Sequence, residues 1–152
     1  MSHTPGDATF DVVLHPLPGP PRPGETLVDG RGAWPTILLP GADATFAVGF
    51  DEALARLDGL GRAFVEPDGS FVWVGPGQGD RWQVDGNAWE RAGRVASVDV
   101  RGRCPAEELA RFLDVWRSSG EGMAVALVRA GVCLDEPTFL RHAVAVPCPG
   151  PS

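Results

Sequence analysis

The stretch RAFVEPDGSFVWVGPGQGDRWQVDGNAWERAGRVASVDVR, residues 62–101, decides the fold because runs of strand-forming residues alternate in it with turn residues. Pro67-Asp68-Gly69 is typical of a hairpin turn, since proline presets its own φ and glycine accepts a positive φ. Asp85-Gly86 is a two-residue hairpin signal, and Gly93 favours one more turn. The stretch therefore predicts an antiparallel β-meander of four or five strands.

The segment after the meander predicts one main helix over residues 105–118. Pro105 suits the first turn of that helix. One apolar stripe at helical spacing is formed by Leu109, Phe112, Leu113 and Trp116. A continuous apolar run then predicts a buried strand over 123–129, and a short C-terminal helix follows with Asp135 as its N-cap.

The segment before the meander predicts N-terminal strands and a short helix. Apolar and other residues alternate around Phe10, Val12 and Leu14, and two short apolar runs follow within 34–50. Asp51 is then a candidate N-cap of a short helix. Strands grouped in the sequence and packed under helices indicate an α+β fold, with the meander against the main helix.

The chain length of 152 residues fits a single domain, which we place at residues 9–146. Residues 1–8 and 147–152 are predicted to be a flexible N-terminus and a flexible tail. The proline-rich stretch 16–24 cannot continue a helix, and it favours an extended connector inside the domain.

The strand predicted within residues 70–75 is apolar on both faces, so it needs cover on both sides. The helix over 105–118 has one apolar stripe and covers one face. Residues 9–60, a partner chain or a ligand stacked on tryptophan must then cover the other. The sequence favours residues 9–60, because apolar side chains, tryptophan included, are mostly buried.

An exposed second face would form an aromatic and arginine-bearing binding surface, a combination enriched in protein interfaces and suited to stacking on bases. With Asp85-Gly86 as a turn, Trp82 lies opposite Trp89, and Trp89 lies opposite Val95 on the next strand. The candidate binding residues are Trp73, Trp82, Trp89, Arg81, Arg91 and Arg94.

Composition excludes several chemistries. The chain has no lysine and no tyrosine, which removes Schiff-base lysines, P-loop lysines and tyrosine acid–base catalysis. This bias toward residues with GC-rich codons indicates a bacterial protein from a GC-rich genome. The net charge of −7 disfavours nucleic-acid binding, which depends on neutralising phosphates.

The glycine-rich loop GPGQG, residues 75–79, resembles a phosphate-binding loop only in its spaced glycines. Such loops bind phosphate because they open a helix, whose N-terminal amides face the anion. Here the following RWQVD predicts a strand. A mobile hairpin loop is the favoured interpretation, with Arg81 beside it as a possible anion contact.

The three cysteines, Cys104, Cys133 and Cys148, are widely spaced and odd in number, which predicts a reduced, cytoplasmic protein. Neither the cysteines nor the three histidines have metal-ligand spacing, so we expect no metal and no cofactor. No apolar run approaches the ~20 residues of a membrane-spanning helix. Cys104, at the start of the main helix, is a candidate low-pKa thiol, although the sequence names no catalytic set.

The leading functional hypothesis is a non-enzymatic protein–protein interaction module that meets another protein, or a copy of itself, through the aromatic and arginine-bearing sheet face. The alternative is a small enzyme or small-ligand binder with a pocket near loop 75–80 and Cys104. A third hypothesis is a single-stranded nucleic-acid binder, which predicts a steep dependence of binding on salt.

Overall fold

The computed structural model of the chain describes residues 7–39, 41, 43–76 and 81–145. Within these residues the backbone forms nine strands and three helices, which confirms the α+β class. In chain order the elements are β1 (Asp7–Leu17), β2 (Leu27–Asp29), β3 (Gly32–Trp34), α1 (Phe50–Asp58), β4 (Ala63–Val65), β5 (Ser70–Val74), β6 (Gln83–Arg91), β7 (Arg94–Pro105), α2 (Ala106–Asp114), β8 (Gly122–Leu127), β9 (Val132–Asp135) and α3 (Glu136–Val144).

Seven strands form one antiparallel sheet in the order β4-β5-β6-β7-β1-β8-β9, while β2 and β3 form a separate hairpin. The meander is confirmed as the four neighbours β4 to β7. Strand β1 lies in the sheet between β7 and β8, with Leu14 opposite Val98 on one side and Val125 on the other. The expected role of residues 9–60 as cover is therefore wrong for β1, which joins the meander to the C-terminal strands.

All three helices pack on one face of the sheet. The ring of Phe112 in α2 stacks on Trp73 of β5 at 5.6 Å, and Phe139 of α3 meets Phe10 of β1 at 6.2 Å. Helix α1 adjoins α2 on this face, where Arg56 donates to main-chain carbonyls just after α2. None of the helices in the described part of the chain is long and apolar enough to cross a bilayer.

Local signals placed several turns and caps correctly. Gly69 has a φ of +99° in the turn between β4 and β5, and Gly93 has a φ of +81° in the tight turn between β6 and β7. Asp135 is the N-cap of α3, since its side chain accepts a hydrogen bond from the Thr138 amide at 2.9 Å. Glycine and capping residues act within a few positions of the chain, which is why these features are readable from sequence.

The hairpin predicted at Asp85-Gly86 is wrong, because β6 runs unbroken through both residues. A Cβ added at Gly86 would lie 1.9 Å from the backbone oxygen of Asp99 and 3.0 Å from the ring of Phe71. Gly86 thus allows the neighbouring strand β7 to approach closely. An Asp-Gly pair can therefore mark a close approach inside a strand as well as a turn.

Several boundaries also differ from the sequence predictions. Strand β1 begins at Asp7, inside the stretch expected to be flexible, and α2 ends at Asp114, before Trp116. The N-cap of α1 is Gly49, so Asp51 lies within the first turn. Strand β9 was not predicted. The tail 147–152 lies outside the described residues.

Candidate functional site

Trp73 and Trp82 lie in the core beneath α2 rather than on a binding surface. Trp73 is fully buried, and the ring of Trp82 meets it edge-on at 4.7 Å. Because β6 does not turn at Asp85-Gly86, Trp82 and Trp89 are seven positions apart, an odd number, along one extended chain. Such residues point to opposite faces of a sheet. The prediction that both tryptophans share one exposed face is therefore wrong.

Trp89 is the predicted aromatic residue that does lie on the surface, with 51% of its area exposed. It lies opposite Ser97 and not Val95, because the β6–β7 register shifts at Trp89/Glu90. Val95 is fully buried. The indole Nε1 of Trp89 donates to Oδ2 of Asp99 at 2.9 Å, which holds the ring along the sheet.

The predicted arginines lie at two ends of β6. Arg91 and Arg94 flank the tight turn after β6, where Arg91 lies 3.7 Å from Asp43. Arg81 precedes β6, and its carbonyl oxygen accepts a hydrogen bond from Arg103. The structure therefore brings Arg91 and Arg94 to the Trp89 end of the strand and places Arg81 at the other end.

We name the sheet surface opposite the helices the open face, formed by Asp11, Val13, Phe64, Val72, Asp85, Asn87, Trp89, Asp99 and Arg101. The strand register arranges these side chains in cross-strand rows. One row contains Phe64, Val72, Asp85, Arg101 and Asp11 in order from β4 to β1. The next row contains Asn87, Asp99 and Val13. Polar side chains thus occupy the middle of the face, between apolar side chains.

Within the described chain, residues 24–25 and 36–39 lie beside Val13 and Ala126 at the β9 end of the open face. The segment 22–39 lies against β9, where the amide of Ile37 donates to the carbonyl of Cys133 at 2.8 Å. Over β5 to β1 the surface is a shallow depression of about 550 Å³. Phe64 is 66% exposed and Val72 is half-buried. The second face of β5 is therefore not fully covered by the described residues of 9–60.

In the middle of the open face, the three carboxylates of Asp11, Asp85 and Asp99 lie around the guanidinium of Arg101. Asp7 pairs with Arg103 at 2.6 Å, and Asp85 lies 3.5 Å from Arg101. The remaining carboxylates, those of Asp11 and Asp99, have no ion pair with another described residue. A bound cation would therefore meet two carboxylates that make no ion pair within the described chain, with Arg101 opposite Asp11 in the neighbouring strand.

His15 extends the polar part of this surface next to Asp99. Burial lowers the pKa of His15, and the negative charge of Asp99 opposes that decrease. The net lowering favours the neutral imidazole at neutral pH. His15 therefore adds hydrogen-bonding capacity to the surface without offsetting its acidity.

A second candidate site, which we name the hairpin pocket, lies between the β2–β3 hairpin, α3 and the turn after β8. It encloses about 380 Å³. Its wall includes Phe10, Arg31, Leu127, Arg129, Phe139 and His142. The pocket combines an apolar interior with the cationic side chains of Arg31 and Arg129, and Asp11 and Asp29 also line it.

The hairpin is attached to the end of α3 by reciprocal polar contacts. Nε2 of His142 lies 2.8 Å from Oδ2 of Asp29, and Nη1 of Arg31 donates to the His142 carbonyl at 2.8 Å. Partial burial opposes ionisation of Asp29, but hydrogen bonds from His142, the Arg31 amide and Trp34 give it a lowered pKa. The Asp29–His142 pair therefore has a structural role, which is to hold the β2–β3 hairpin against the end of α3.

The cysteine-based alternative conflicts with the position of Cys104. The residue lies in β7 and is fully buried. Burial, followed by the charges of Glu108 and Asp7, raises the pKa of its thiol to about 12. The expectation of a low-pKa thiol is therefore wrong, because burial and negative charge both disfavour the thiolate. Among the described residues, no cluster of three His, Cys, Asp or Glu side chains could hold a metal ion.

Sequence reasoning missed Phe64 and Asp99 of the open face and the whole hairpin pocket. The alternation along residues 94–101 does indicate a half-exposed strand, and Asp99 belongs to its polar side. The pocket had no such signal, because Asp29 and His142 are 113 positions apart.

No protein-family model, curated protein or solved structure matches the chain. The candidate sites therefore rest on the geometry and chemistry of these residues.

Proposed function

We propose that the protein is a non-enzymatic interaction module whose open face binds a basic segment of another protein. The observation that carries this proposal is the uncovered sheet surface over β5 to β1, flanked by the exposed rings of Phe64 in β4 and Trp89 near the end of β6. Exposed aromatic side chains next to polar groups are the usual anchors of protein interfaces.

The charge of the surface supports a basic partner over the other candidates. Arginine or lysine side chains of a partner would pair with Asp11 and Asp99, which have no ion pair within the described chain. A second copy of a chain with a net charge of −7 would be repelled. Nucleic-acid phosphates would face the same carboxylates, which disfavours the single-stranded nucleic-acid hypothesis.

The test is quantitative capture by three versions of the purified protein: the wild type, the double variant Phe64→Ala/Trp89→Ala, and Val28→Ser. Val28 is 75% exposed on the β2–β3 hairpin, so Val28→Ser removes exposed apolar area away from the open face. A captured protein is then purified and titrated against each version at low and high salt.

We expect one basic protein to bind the wild type and Val28→Ser equally and the double variant at least about tenfold more weakly, because aromatic anchors carry much of the binding energy. Its affinity should fall with salt. An acidic partner, or equal affinity for all three versions, would contradict the proposal. Self-association of the purified wild type through the open face would contradict it as well.

A further inference from the structure

The hairpin pocket is independent of the open-face proposal and has the features of a small-ligand site. Its volume of about 380 Å³ lies within the usual range for cavities that enclose small organic ligands. It is bounded by four separate parts of the chain: β1, the β2–β3 hairpin, α3, and the end of β8 with the turn after it.

The interior of the pocket is apolar. Its wall contains Phe10, Leu127 and Phe139, which are at most 8% exposed. The rings of Phe10 and Phe139 pack edge to face with their centres 6.2 Å apart. The deep part of the cavity therefore accepts an aliphatic or aromatic group.

The strand edge beside the pocket supplies main-chain donors. Strand β8 pairs with β1 only from Val12 onward, so Thr9 and Asp11 have no strand opposite them on this side. Their carbonyl oxygens accept from Arg31 and from the amide of Val128, which shows that both residues direct their polar backbone groups to this side. The amide groups of Thr9 and Asp11 therefore face the pocket edge.

The side chains of the pocket add cationic donors. Two acidic residues also line it, but the side chain of Asp11 belongs to the open-face row beside Arg101, on the other face of β1 from Phe10 and Val12. Arg129 lines the pocket and makes no hydrogen bond or ion pair with another described residue. The carboxylate of Asp29 already meets His142, the Arg31 amide and Trp34. A ligand in this cavity is therefore required to accept hydrogen bonds and benefits from negative charge.

From this arrangement we propose that the hairpin pocket binds a carboxylate joined to a small apolar group. The apolar group lies against Phe10, Leu127 and Phe139, and the carboxylate meets Arg129 and the amide edge of β1. Two sources share this chemistry: a free acid with an apolar body and the C-terminus of a peptide that ends in an apolar residue.

The test uses N-acetyl-L-leucine and its neutral analogue N-acetyl-L-leucinamide, titrated by calorimetry or NMR into the full chain. We expect the acid to bind at least about tenfold more tightly than the amide, as a charge-assisted contact allows. Arg129→Gln should weaken binding of the acid about tenfold, while Arg94→Gln, at an exposed arginine outside the pocket, should leave it unchanged.

A variant that fills the pocket tests the proposal without changing the charge of the pocket or the packing of the core. Ala130 is exposed and lines the pocket, so Ala130→Trp should occlude the mouth without disturbing the core, and it should abolish binding. No binding of the acid at about 1 mM would overturn the proposal. Equal affinities for acid and amide, or unchanged binding by Ala130→Trp, would overturn it too.

A peptide that ends in Leu-COOH separates the two sources. Tighter binding of the peptide than of N-acetyl-L-leucine would assign the pocket to peptide C-termini, whereas weaker binding would assign it to free acids. Because Phe64→Ala/Trp89→Ala changes only the open face, it should bind N-acetyl-L-leucine like the wild type. Failure at one site is therefore distinguishable from failure at the other.

Discussion

The two faces of the seven-stranded sheet differ in kind although the same strands build both. On the helix-covered face, Phe71 and Trp73 of β5 pack against Phe112 and Trp116. On the open face, Val72 of the same strand lies half-buried in a row with charged side chains. Stability and the proposed binding are therefore carried by alternate residues, so a substitution in one strand can probe either property separately.

The indole N–H groups of the tryptophans are hydrogen-bonded on one face of the sheet and not on the other. The indole Nε1 atoms of Trp73 and Trp116 are buried without a hydrogen-bond partner among the described residues. The Nε1 of exposed Trp89 donates to Asp99. The covered face thus favours close packing even at the cost of unpaired donors, while the open face keeps its aromatic ring oriented by a hydrogen bond.

The largest expected effect comes from Trp73→Ala compared with Trp89→Ala. Removing the fully buried ring of Trp73 should lower the free energy of unfolding by about 3–5 kcal/mol, since it leaves a cavity against Phe112. Removing Trp89 should cost less than about 1 kcal/mol, as for most surface substitutions. Urea unfolding followed by circular dichroism measures both.

If Trp73→Ala does not fold, a milder substitution at the same position still gives a measurable free energy of unfolding. Trp73→Phe retains an aromatic ring and removes the unpaired Nε1, so it should cost clearly less than Trp73→Ala. Similar losses at positions 73 and 89 would show that the open face is covered in the folded protein, and the contrast between the faces would fail.

A smaller effect is expected from Gly86→Ala compared with Gly93→Ala. At Gly86 an added Cβ would lie 1.9 Å from the backbone oxygen of Asp99, so β6 and β7 must separate, at a cost of about 2–3 kcal/mol. At Gly93 nothing lies within 4 Å, and only the φ of +81° is unfavourable, at about 1 kcal/mol. Thermal unfolding shows which of the two variants is less stable. If Gly93→Ala were the less stable one, the prediction that Asp85-Gly86 forms a turn would regain support.

Gly86 also shows which parts of the fold are readable from the sequence. The turns at Gly69 and Gly93 and the cap at Asp135 were predicted correctly, because each is determined by its nearest neighbours in the chain. The same local rule failed at Gly86, where the glycine responds to a neighbouring strand. The position of β1 between β7 and β8 had no local signal either, since its partners are distant in the sequence.

The candidate sites also contain residues that local sequence patterns indicate and residues that only the folded chain brings together. Trp89 was predicted as a cross-strand neighbour of Trp82 and Val95, and it does lie on the surface although both pairings are wrong. Trp82 was assigned to the same face as Trp89 because the predicted turn at Asp85-Gly86 paired the two residues, and β6 does not turn there. Trp73 was named because the strand predicted within 70–75 is apolar on both faces, and it lies in the core. The hairpin pocket depends on residues from both ends of the chain, and only the folded structure brings Arg31 to α3.

The smallest expected effect is the loss of stability at alkaline pH that comes from the two described cysteines. Cys104 lies on the helix-covered face, and Cys133 lies on the opposite face, next to residues 36–39. The chain has no lysine and no tyrosine, so its cysteines are the side chains that titrate between pH 8.5 and 11. Cys148 lies outside the described residues and is replaced by serine in every version. Burial raises the thiol pKa to about 12 for Cys104 and to about 11 for Cys133.

In the unfolded chain both thiols ionise near pH ~8.5, while the folded protein retains their protons. The unfolded state therefore binds fewer protons above that pH. The contribution of the two thiols to the free energy of unfolding should be constant from neutral pH to about pH 8.5 and should fall as the pH rises toward 11. The expected loss is about 1–2 kcal/mol per thiol near pH ~10. Cys104→Ala and Cys133→Ala should each remove part of the decline, and the double variant should show almost none. A decline that persists in the double variant, or native thiols that react with Ellman's reagent at pH ~8, would mean that one of the two faces is open at its cysteine.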